Sequence, residues 1–138
     1  MPVLFPYLSQ TSDGGDASLM PMLPLALQFQ NSAPIQALGM LDSGATVNVL
    51  PYSLGVRLGA VWDAQTTRVT LTGNLARQEA RALLVQARIA HFAAVPLVFA
   101  WTRAEHLPLL LGQMNFFGQF DVCFHRTRRQ FELEPARK

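Results

Sequence analysis

The stretch MLDSGATVNVLP, residues Met40–Pro51, is the most informative part of this sequence for its fold. The apolar segment Ile35–Leu41 runs directly into Asp-Ser-Gly at residues Asp42–Gly44, and a β-branched apolar segment follows at Val47–Leu50. Such segments are typical of short strands. A carboxylate placed between two strands is positioned by the backbone, and Gly44 permits a close backbone approach. The pattern predicts an acid held at the floor of a cleft.

Further short strands are predicted on both sides of this stretch, because apolar segments there are separated by turn residues. The predicted strands are Val3–Leu8, Leu23–Gln30, Ile35–Leu41, Val47–Leu50, Arg68–Leu71, Glu79–Ile89, Val95–Trp101, Leu107–Leu111, Asp121–Phe124 and Gln130–Leu133. Short helices are predicted from Pro51 to Gly59 and over Asn115–Phe120, and a polar loop is predicted over residues 11–18. Many short strands with at most two short helices indicate an all-β domain, closed or sandwich-like.

The composition predicts a single domain over residues 1–138. Hydrophobic residues make up 50% of the chain and charged residues 14%, which is typical of a globular protein. Residues 1–20 are predicted to form an N-terminal strand and polar loop, residues 21–134 the core, and residues 135–138 a basic tail. Because few charged residues are available to cover the surface, we expect apolar surface to be buried against a second copy.

The charge pattern favours no nucleic-acid partner. The net charge is +2, and the excess basic residues lie near the C-terminus, at Arg126, Arg128, Arg129, Arg137 and Lys138. A solvated tail or strand edge explains such a group, whereas nucleic-acid-binding domains usually carry a broader basic face. A basic, nucleic-acid-binding β domain is therefore the weaker alternative.

The sequence predicts neither a metal site, an internal disulfide nor a membrane span. The single cysteine, Cys123, lies in an apolar stretch that predicts a buried structural thiol. His91, His106 and His125 lie in separate segments without the spacing of metal ligands. The longest apolar region, Ala82–Trp101, is interrupted by polar residues, and the N-terminus lacks the features of a signal peptide. We expect a soluble, cytoplasmic protein, unless a membrane anchor lies outside this sequence.

Three segments resemble the retropepsin family of aspartic proteases. Met40–Pro51 resembles the active-site segment of the family, in which an apolar pair precedes Asp-Thr/Ser-Gly-Ala and an apolar strand. About seventy residues later, LLLGQMNFFGQFDVCF at Leu109–Phe124 resembles the second signature, an apolar pair followed by Gly and a short helix. LPYSLGVRLGA at Leu50–Ala60 is similar to the Leu-Pro and short-helix stretch of bacterial and retroelement members. Order and spacing match from Leu23 to Leu133.

The resemblance implies a closed acid-protease barrel with one or two short helices that acts as a homodimer. It implies that Asp42 is the catalytic aspartate within a loop completed by Ser43 and Gly44, and that Ser43 forms interlocking hydrogen bonds between the loops of two subunits. Substrate contacts are implied for Ala45, Thr46, Val47, Leu110 and a flap made of Thr72, Gly73 and Asn74. Structural support of the active loop is implied for Leu111, Gly112 and Gln113.

The chemistry of aspartic proteases requires two carboxylates, and this chain has one Asp-Ser-Gly. Asp13, Asp16, Asp63 and Asp121 lie outside any second copy of the motif. One acid takes a proton from water while the other, protonated, polarises the scissile carbonyl, and the pKa values of two such acids split. A two-fold homodimer would supply Asp42 twice. The expected function is an aspartic endopeptidase that cuts extended peptides with apolar residues, needs no cofactor or metal, and works best at acidic pH.

The sequence departs from the family pattern at one pair of residues and in the flap. Many viral members carry an Asp–Arg ion pair at the positions of Thr46 and Gln113, and these neutral residues are expected to form a hydrogen bond instead. The flap holds one glycine, Gly73, whereas family flaps are often richer in glycine. A stiffer flap would limit substrate entry. The alternative function is therefore a dimerisation or peptide-binding module with little catalysis.

Overall fold

Strands dominate the chain. A computed structural model describes residues 1–11, 17–104 and 107–137. Its strands are Val3–Pro6 (β1), Leu8–Thr11 (β2), Ala17–Met20 (β3), Met22–Gln28 (β4), Ile35–Leu41 (β5), Asn48–Pro51 (β6), Arg68–Val69 (β7), Ala80–Arg88 (β8), Val95–Thr102 (β9), Leu109–Leu111 (β10), Phe120–His125 (β11) and Gln130–Pro135 (β12). Its helices are Tyr52–Arg57 (α1) and Phe116–Gln119 (α2), and single 3-10 turns lie at Trp62–Ala64, Gly73–Leu75 and Arg126–Arg128.

Six of these strands close into a barrel. Their order is β4-β5-β10-β6-β9-β8, and pairing of β4 with β8 closes the ring, while β7 extends the sheet beyond β8. Strand β10 is parallel to β5 on one side and antiparallel to β6 on the other. The strand before Asp42 and the strand after it are therefore held together through β10. The predicted all-β closed barrel with two short helices is confirmed, and the sandwich-like alternative is wrong.

Alternation along the strands fills the interior of the barrel. Leu23, Leu25 and Leu27 on β4 and Phe99 and Trp101 on β9 belong to one core cluster, and none is more than 2% exposed. Each such side chain stabilises the fold by about 1.5–3 kcal/mol when it leaves water. The strands of the barrel are thus held rigidly by a packed core, and the loops that connect them begin and end at fixed positions.

Helix α1 lies against the barrel through one face. Leu54 and Leu58, four residues apart, are buried, and Gly59 ends the helix with φ +93, a conformation that other residues adopt at a cost. A methyl group at Gly55 would collide with the indole ring of Trp101. Pro51, predicted as the first helical residue, is instead the extended N-cap and the last residue of β6.

A second sheet contains the strands from the two ends of the chain. Strand β12 lies between β1 and β11, antiparallel to both, so the predicted final hairpin is confirmed. Phe131 is fully buried, whereas Phe124, which lies opposite it in β11, is 39% exposed. Cys123 is exposed, and the prediction of a buried thiol is wrong. The apolar neighbours of Cys123 point inward, and alternation along the strand turns its own side chain outward.

The N-terminal region contains more strand structure than predicted. The predicted strand Val3–Leu8 is divided at Tyr7, whose N–H donates to the Arg129 carbonyl at 2.8 Å, and β2 then pairs with β3. The predicted polar loop over 11–18 contributes its ends to these two strands, and residues 12–16, with Asp13 and Asp16, lie outside the described residues. His106 and Lys138 also lie outside them. No helix in the described part of the chain is long and apolar enough to cross a membrane.

Candidate active site

Asp42 lies where two parallel strands end. Strand β5 ends at Leu41 beside Leu111, the last residue of β10, and the Asp42 N–H donates to the Leu111 carbonyl at 3.0 Å. The Asp42 carbonyl accepts the Ala45 N–H at 3.1 Å, and its Oδ1 accepts the Gly44 N–H at 2.9 Å. Asp42 as a whole residue is half-buried. Three hydrogen bonds therefore fix both the backbone and the side chain of this residue.

A second segment supports the active loop, residues 42–47. In this supporting segment, residues 112–115, the Gln113 N–H donates to the Ala45 carbonyl and the Met114 N–H to the Thr46 carbonyl, both at 2.8 Å. The Gln113 side-chain amide donates to the Ser43 carbonyl at 2.6 Å. The expected side-chain hydrogen bond between Thr46 and Gln113 is not formed between these two described residues, and the Gln113 amide donates to the backbone of Ser43 instead.

Asn48 connects the active loop to the supporting segment from inside the protein. It is fully buried, its Oδ1 accepts the Gly112 N–H at 2.8 Å, and its Nδ2 donates to the Val98 carbonyl and to Asn115 Oδ1 at 3.0 and 3.1 Å. Asn115 Oδ1 also accepts the Val98 N–H at 2.8 Å. The sequence reading missed this residue. The signal in the sequence is a single amide side chain within an otherwise apolar strand. A buried amide in a strand nearly always has a hydrogen-bond partner.

Gly112 allows the two segments to approach closely. A Cβ at this position would lie 2.5 Å from the Val47 carbonyl oxygen and 2.9 Å from the Ala45 carbonyl oxygen. Both neighbours are backbone atoms, which cannot move aside as a flexible side chain can. Only glycine keeps the hydrogen bonds between the active loop and the supporting segment.

An open cleft of 420 Å³ lies in front of Asp42. Its described lining consists of Asp42, Gly44, Ala45, Thr46, Val47, Val49, Leu71, Thr72, Gly73, Asn74, Leu75, Leu107 and Leu110. The cleft thus brings together Asp42, Gly44 and every residue for which a substrate contact was expected. Leu71, Leu75 and Leu107 are additional apolar walls that the sequence reading did not single out. Ser43, although part of the active loop, lies outside this lining, as do Leu111, Gly112 and Gln113.

The far wall of the cleft is a hairpin. Strands β7 and β8 pair antiparallel, and the connection between them carries the 3-10 turn Gly73–Leu75 at its tip. We call residues 68–80 the flap hairpin. Its base is anchored because Leu71 is buried with Val49 and Ala100. Gly73 has φ +65 and an added Cβ there would meet no atom within 4 Å, so this glycine serves conformation and not space.

Comparison with known proteins identifies the fold of this chain. No protein-family model matches the chain, and no curated protein matches it. Among solved structures, a retropepsin-like aspartic protease from Rickettsia conorii superposes with a TM-score of 0.64 at 14% identity, over 96% of this chain and 90% of the other. The retroviral protease-like domain of Ddi1 from Leishmania major superposes with a TM-score of 0.57 at 14% identity, over 85% and 95%. The chain has a retropepsin-like fold.

The described lining of the cleft is almost entirely uncharged. Among the described lining residues, Asp42 alone carries a charge, and the remaining walls are small, apolar or neutral polar side chains. Such a cleft suits an extended chain with apolar side chains. A larger concavity of 560 Å³ lies elsewhere, between the 18–20 strand and the Arg126–Arg129 turn. Its described lining contains no carboxylate, so it lacks the acid–base group that hydrolysis requires.

Proposed function

We propose that this protein is an aspartic endopeptidase that acts as a homodimer, with one Asp42 carboxylate from each copy. The observation that carries the proposal is the position of Asp42. Its backbone and carboxylate are hydrogen-bonded into a loop at the wall of a 420 Å³ cleft, opposite the flap hairpin. A carboxylate held in this way does not have to be reoriented before it reacts.

A second copy is required because acid–base hydrolysis of a peptide uses two carboxylic groups. Asp42 is the one charged residue among those described in the cleft lining. The Ser43 side chain is exposed on the same loop, and its carbonyl, not its hydroxyl, receives the Gln113 amide. The hydroxyl is therefore free to donate to the matching loop of a second copy. A two-fold axis beside Ser43 brings the two Asp42 carboxylates together.

The chemistry then follows from one shared proton. The ionised carboxylate accepts a proton from water, whose oxygen bonds to the scissile carbonyl carbon. The protonated carboxylic acid gives its proton to the carbonyl oxygen, which produces a neutral tetrahedral intermediate. The C–N bond breaks as a proton passes to the leaving nitrogen, and a carboxylic acid and an amine are released. The protein forms no covalent bond with the substrate in this scheme.

The substrate class follows from the cleft walls. Val47, Val49 and Leu110 line the side near Asp42, and Leu71 and Leu75 line the flap side. An extended peptide between these walls places successive side chains on opposite sides and leaves its backbone open to hydrogen bonds from the flap hairpin. We therefore propose peptides with apolar residues next to the cleaved bond as substrates.

The test compares Asp42→Asn with Asp63→Asn on a peptide library at acidic pH. Both variants make the same chemical change, and Asp63 is an exposed residue of the Trp62–Ala64 turn. We expect Asp42→Asn to lose at least about a thousandfold in kcat/KM, a typical loss for a group of the catalytic unit, and Asp63→Asn to keep wild-type activity. Equal cleavage by wild type and Asp42→Asn would refute the proposal.

A second candidate is a peptide-binding module with little catalysis. It is favoured by the flap tip, where Gly73 is the one glycine and the base is anchored by buried Leu71. Under this alternative, peptides should bind equally well to wild type and to Asp42→Asn. Neither protein should cleave them at any pH between acidic and neutral. Mass spectrometry of the incubated library separates the two functions, because only the endopeptidase produces fragments.

A further inference from the structure

The concavity of 560 Å³ beside β3 shares no described lining residue with the active-site cleft. Its walls come from the end of β3 and from the turn between β11 and β12, and those described are Ser18, Leu19, Met20, Arg126, Thr127 and Arg129. Pockets that hold small molecules commonly have volumes of about 300–1,000 Å³. The concavity is therefore large enough for a ligand of its own, and its described walls carry two guanidinium groups, two hydroxyl groups and no carboxylate.

The turn that carries both arginines is fixed by backbone hydrogen bonds. The Arg129 N–H donates to the Arg126 carbonyl at 3.1 Å, and the Arg129 carbonyl accepts the Tyr7 N–H at 2.8 Å. Arg129 has φ +54, in the left-handed region, which costs an arginine free energy that a glycine would not lose. Backbone strain at a residue other than glycine is found preferentially at functional sites. The fold thus maintains an arginine at a position where its backbone is strained.

Arg126 is held against an aromatic ring. Its guanidinium carbon lies 5.9 Å from the centroid of the Tyr7 ring, and Tyr7 is buried beside Phe131. A cation over a ring is attracted to it, which restricts the positions that the arginine side chain adopts. The side chain therefore has part of its conformational freedom removed before any ligand arrives, and such preorganisation favours binding.

The positive charge of these two arginines is not neutralised within the described chain. The ion pairs formed there join Arg81 to Glu79 and His125 to Glu132, so neither Arg126 nor Arg129 takes part in one. The third arginine of the turn is used differently, because Arg128 Nη2 lies 2.9 Å from His125 Nδ1 and Arg128 does not line the concavity. Two arginines of the turn are thus available to an anion, and one supports the turn itself.

We propose that this concavity binds a phosphate group that carries an apolar substituent. A guanidinium presents paired N–H donors whose spacing matches the oxygens of a phosphate, and it stays charged at all relevant pH values. A phosphate monoester offers three strong acceptor oxygens, which suits two arginines together with the hydroxyl groups of Ser18 and Thr127. A carboxylate, with two oxygens, would leave some of these donors without an acceptor.

The apolar substituent is inferred from the other two walls. Leu19 and Met20 are half-buried and line the concavity beside the polar groups. An alkyl group that contacts them leaves water, which adds to the affinity supplied by the arginines. The ligand class is therefore a phosphate ester with an alkyl or acyl chain, and its source is either a soluble ester or the headgroup of a phospholipid.

Calorimetric titration of the full-length protein with hexyl phosphate at neutral pH tests the polar half of the site. We expect Arg126→Gln and Arg129→Gln each to weaken binding by about tenfold or more, because each removes charge-assisted hydrogen bonds. Arg137→Gln makes the same change at an exposed arginine outside the concavity and should leave binding within about twofold. Absence of binding to wild type, or equal losses in all three variants, would overturn the proposal. Circular dichroism establishes that the variants are folded.

Inorganic phosphate, used as a competitor of hexyl phosphate, tests the apolar half. We expect hexyl phosphate to bind at least about tenfold more tightly than inorganic phosphate, because its chain contacts Leu19 and Met20. Met20→Ser should weaken binding of hexyl phosphate and leave that of inorganic phosphate within about twofold. Met114→Ser, at an exposed methionine outside the concavity, should change neither. Equal affinities of the two ligands for wild type would contradict the apolar substituent.

Vesicles distinguish the two sources of the ligand. The protein is sedimented with vesicles of phosphatidylcholine alone and with vesicles that also contain phosphatidic acid, whose headgroup is a phosphate monoester. Sedimentation that needs phosphatidic acid, and that is lost in Arg126→Gln but kept in Arg137→Gln, supports the site and identifies a phospholipid. Binding of hexyl phosphate without sedimentation supports the site and identifies a soluble ester. Equal sedimentation of the two variants with phosphatidic acid, without binding of hexyl phosphate, would refute a site at this turn.

Discussion

Substitution of Asn48 tests how the active loop is held in place. Its side chain is fully buried and makes hydrogen bonds to Gly112 N–H, the Val98 carbonyl and Asn115 Oδ1. Asn48→Ala leaves the Gly112 N–H buried without an acceptor, which costs about 1–3 kcal/mol. The two acceptors lose a donor, which adds about 1 kcal/mol. The expected loss in the free energy of unfolding is therefore about 2–4 kcal/mol.

Thermal and urea unfolding measure this loss. For a domain of this size, 2–4 kcal/mol corresponds to a fall in Tm of about 10 °C. Asn31→Ala is the matched control, because Asn31 is exposed and its replacement should change stability by less than about 0.5 kcal/mol. A loss for Asn48→Ala no larger than that of the control would refute the role assigned to this amide.

Asn48→Asp is expected to make the stability of the protein depend on pH. The new carboxylate keeps an acceptor for Gly112 but turns an oxygen toward the Val98 carbonyl and Asn115 Oδ1, so burial and repulsion raise its folded pKa above the unfolded value of about 3.9. A group with a raised folded pKa stabilises the fold below its unfolded pKa, and this contribution is lost as pH rises through the folded pKa. The variant should therefore approach wild-type stability at about pH 4 and weaken toward neutral pH. A pH-independent difference from wild type would contradict the network.

Three further tests, one of them with a matched control, have defined outcomes. Gly112→Ala should lower the free energy of unfolding by about 1–3 kcal/mol, because the new methyl group meets backbone carbonyls. The control Gly118→Ala in α2, which has open space around it, should be neutral or stabilising. Equal effects of the two substitutions would contradict this prediction. Gly73→Ala should lower the free energy of unfolding by about 1–2 kcal/mol, because alanine is strained at the φ of +65 that Gly73 adopts. It should also lower kcat/KM, measured on any cleaved peptide. Arg103→Met should cost about 0.5–1 kcal/mol by removing a guanidinium 4.7 Å from the Trp62 ring, and unchanged Tm would show that this contact contributes nothing.

The strands and the motif could be predicted because their signals are local. Ile35–Leu41 is apolar except for Gln36 and coincides with β5, and the final hairpin shows a polar turn between two strand-like segments. Asp-Ser-Gly directly after a strand located Asp42 in the cleft. The barrel closure could be expected from many short strands, but the pairing of β4 with β8 depends on residues far apart in the chain.

The remaining features depend on contacts that no local pattern encodes. The role of Asn48 arises from Gly112 and Asn115, more than sixty residues away. The side-chain amide of Gln113 donates to the Ser43 carbonyl because the supporting segment lies beside the active loop. The comparison with the Asp–Arg ion pair of viral family members predicted a contact with Thr46 instead. Cys123 is exposed because alternation in β11 outweighs the apolar character of its neighbours.

Subunit mixing tests the shared carboxylate pair most directly. Wild type and Asp42→Asn are combined in equal amounts, allowed to exchange subunits, and assayed on one peptide. If each site needs an Asp42 from both copies, only dimers with two wild-type chains act, and activity should fall to about one quarter of that of the same total amount of wild type. Activity of about one half would mean that each chain carries a complete site, which contradicts the two-carboxylate dimer.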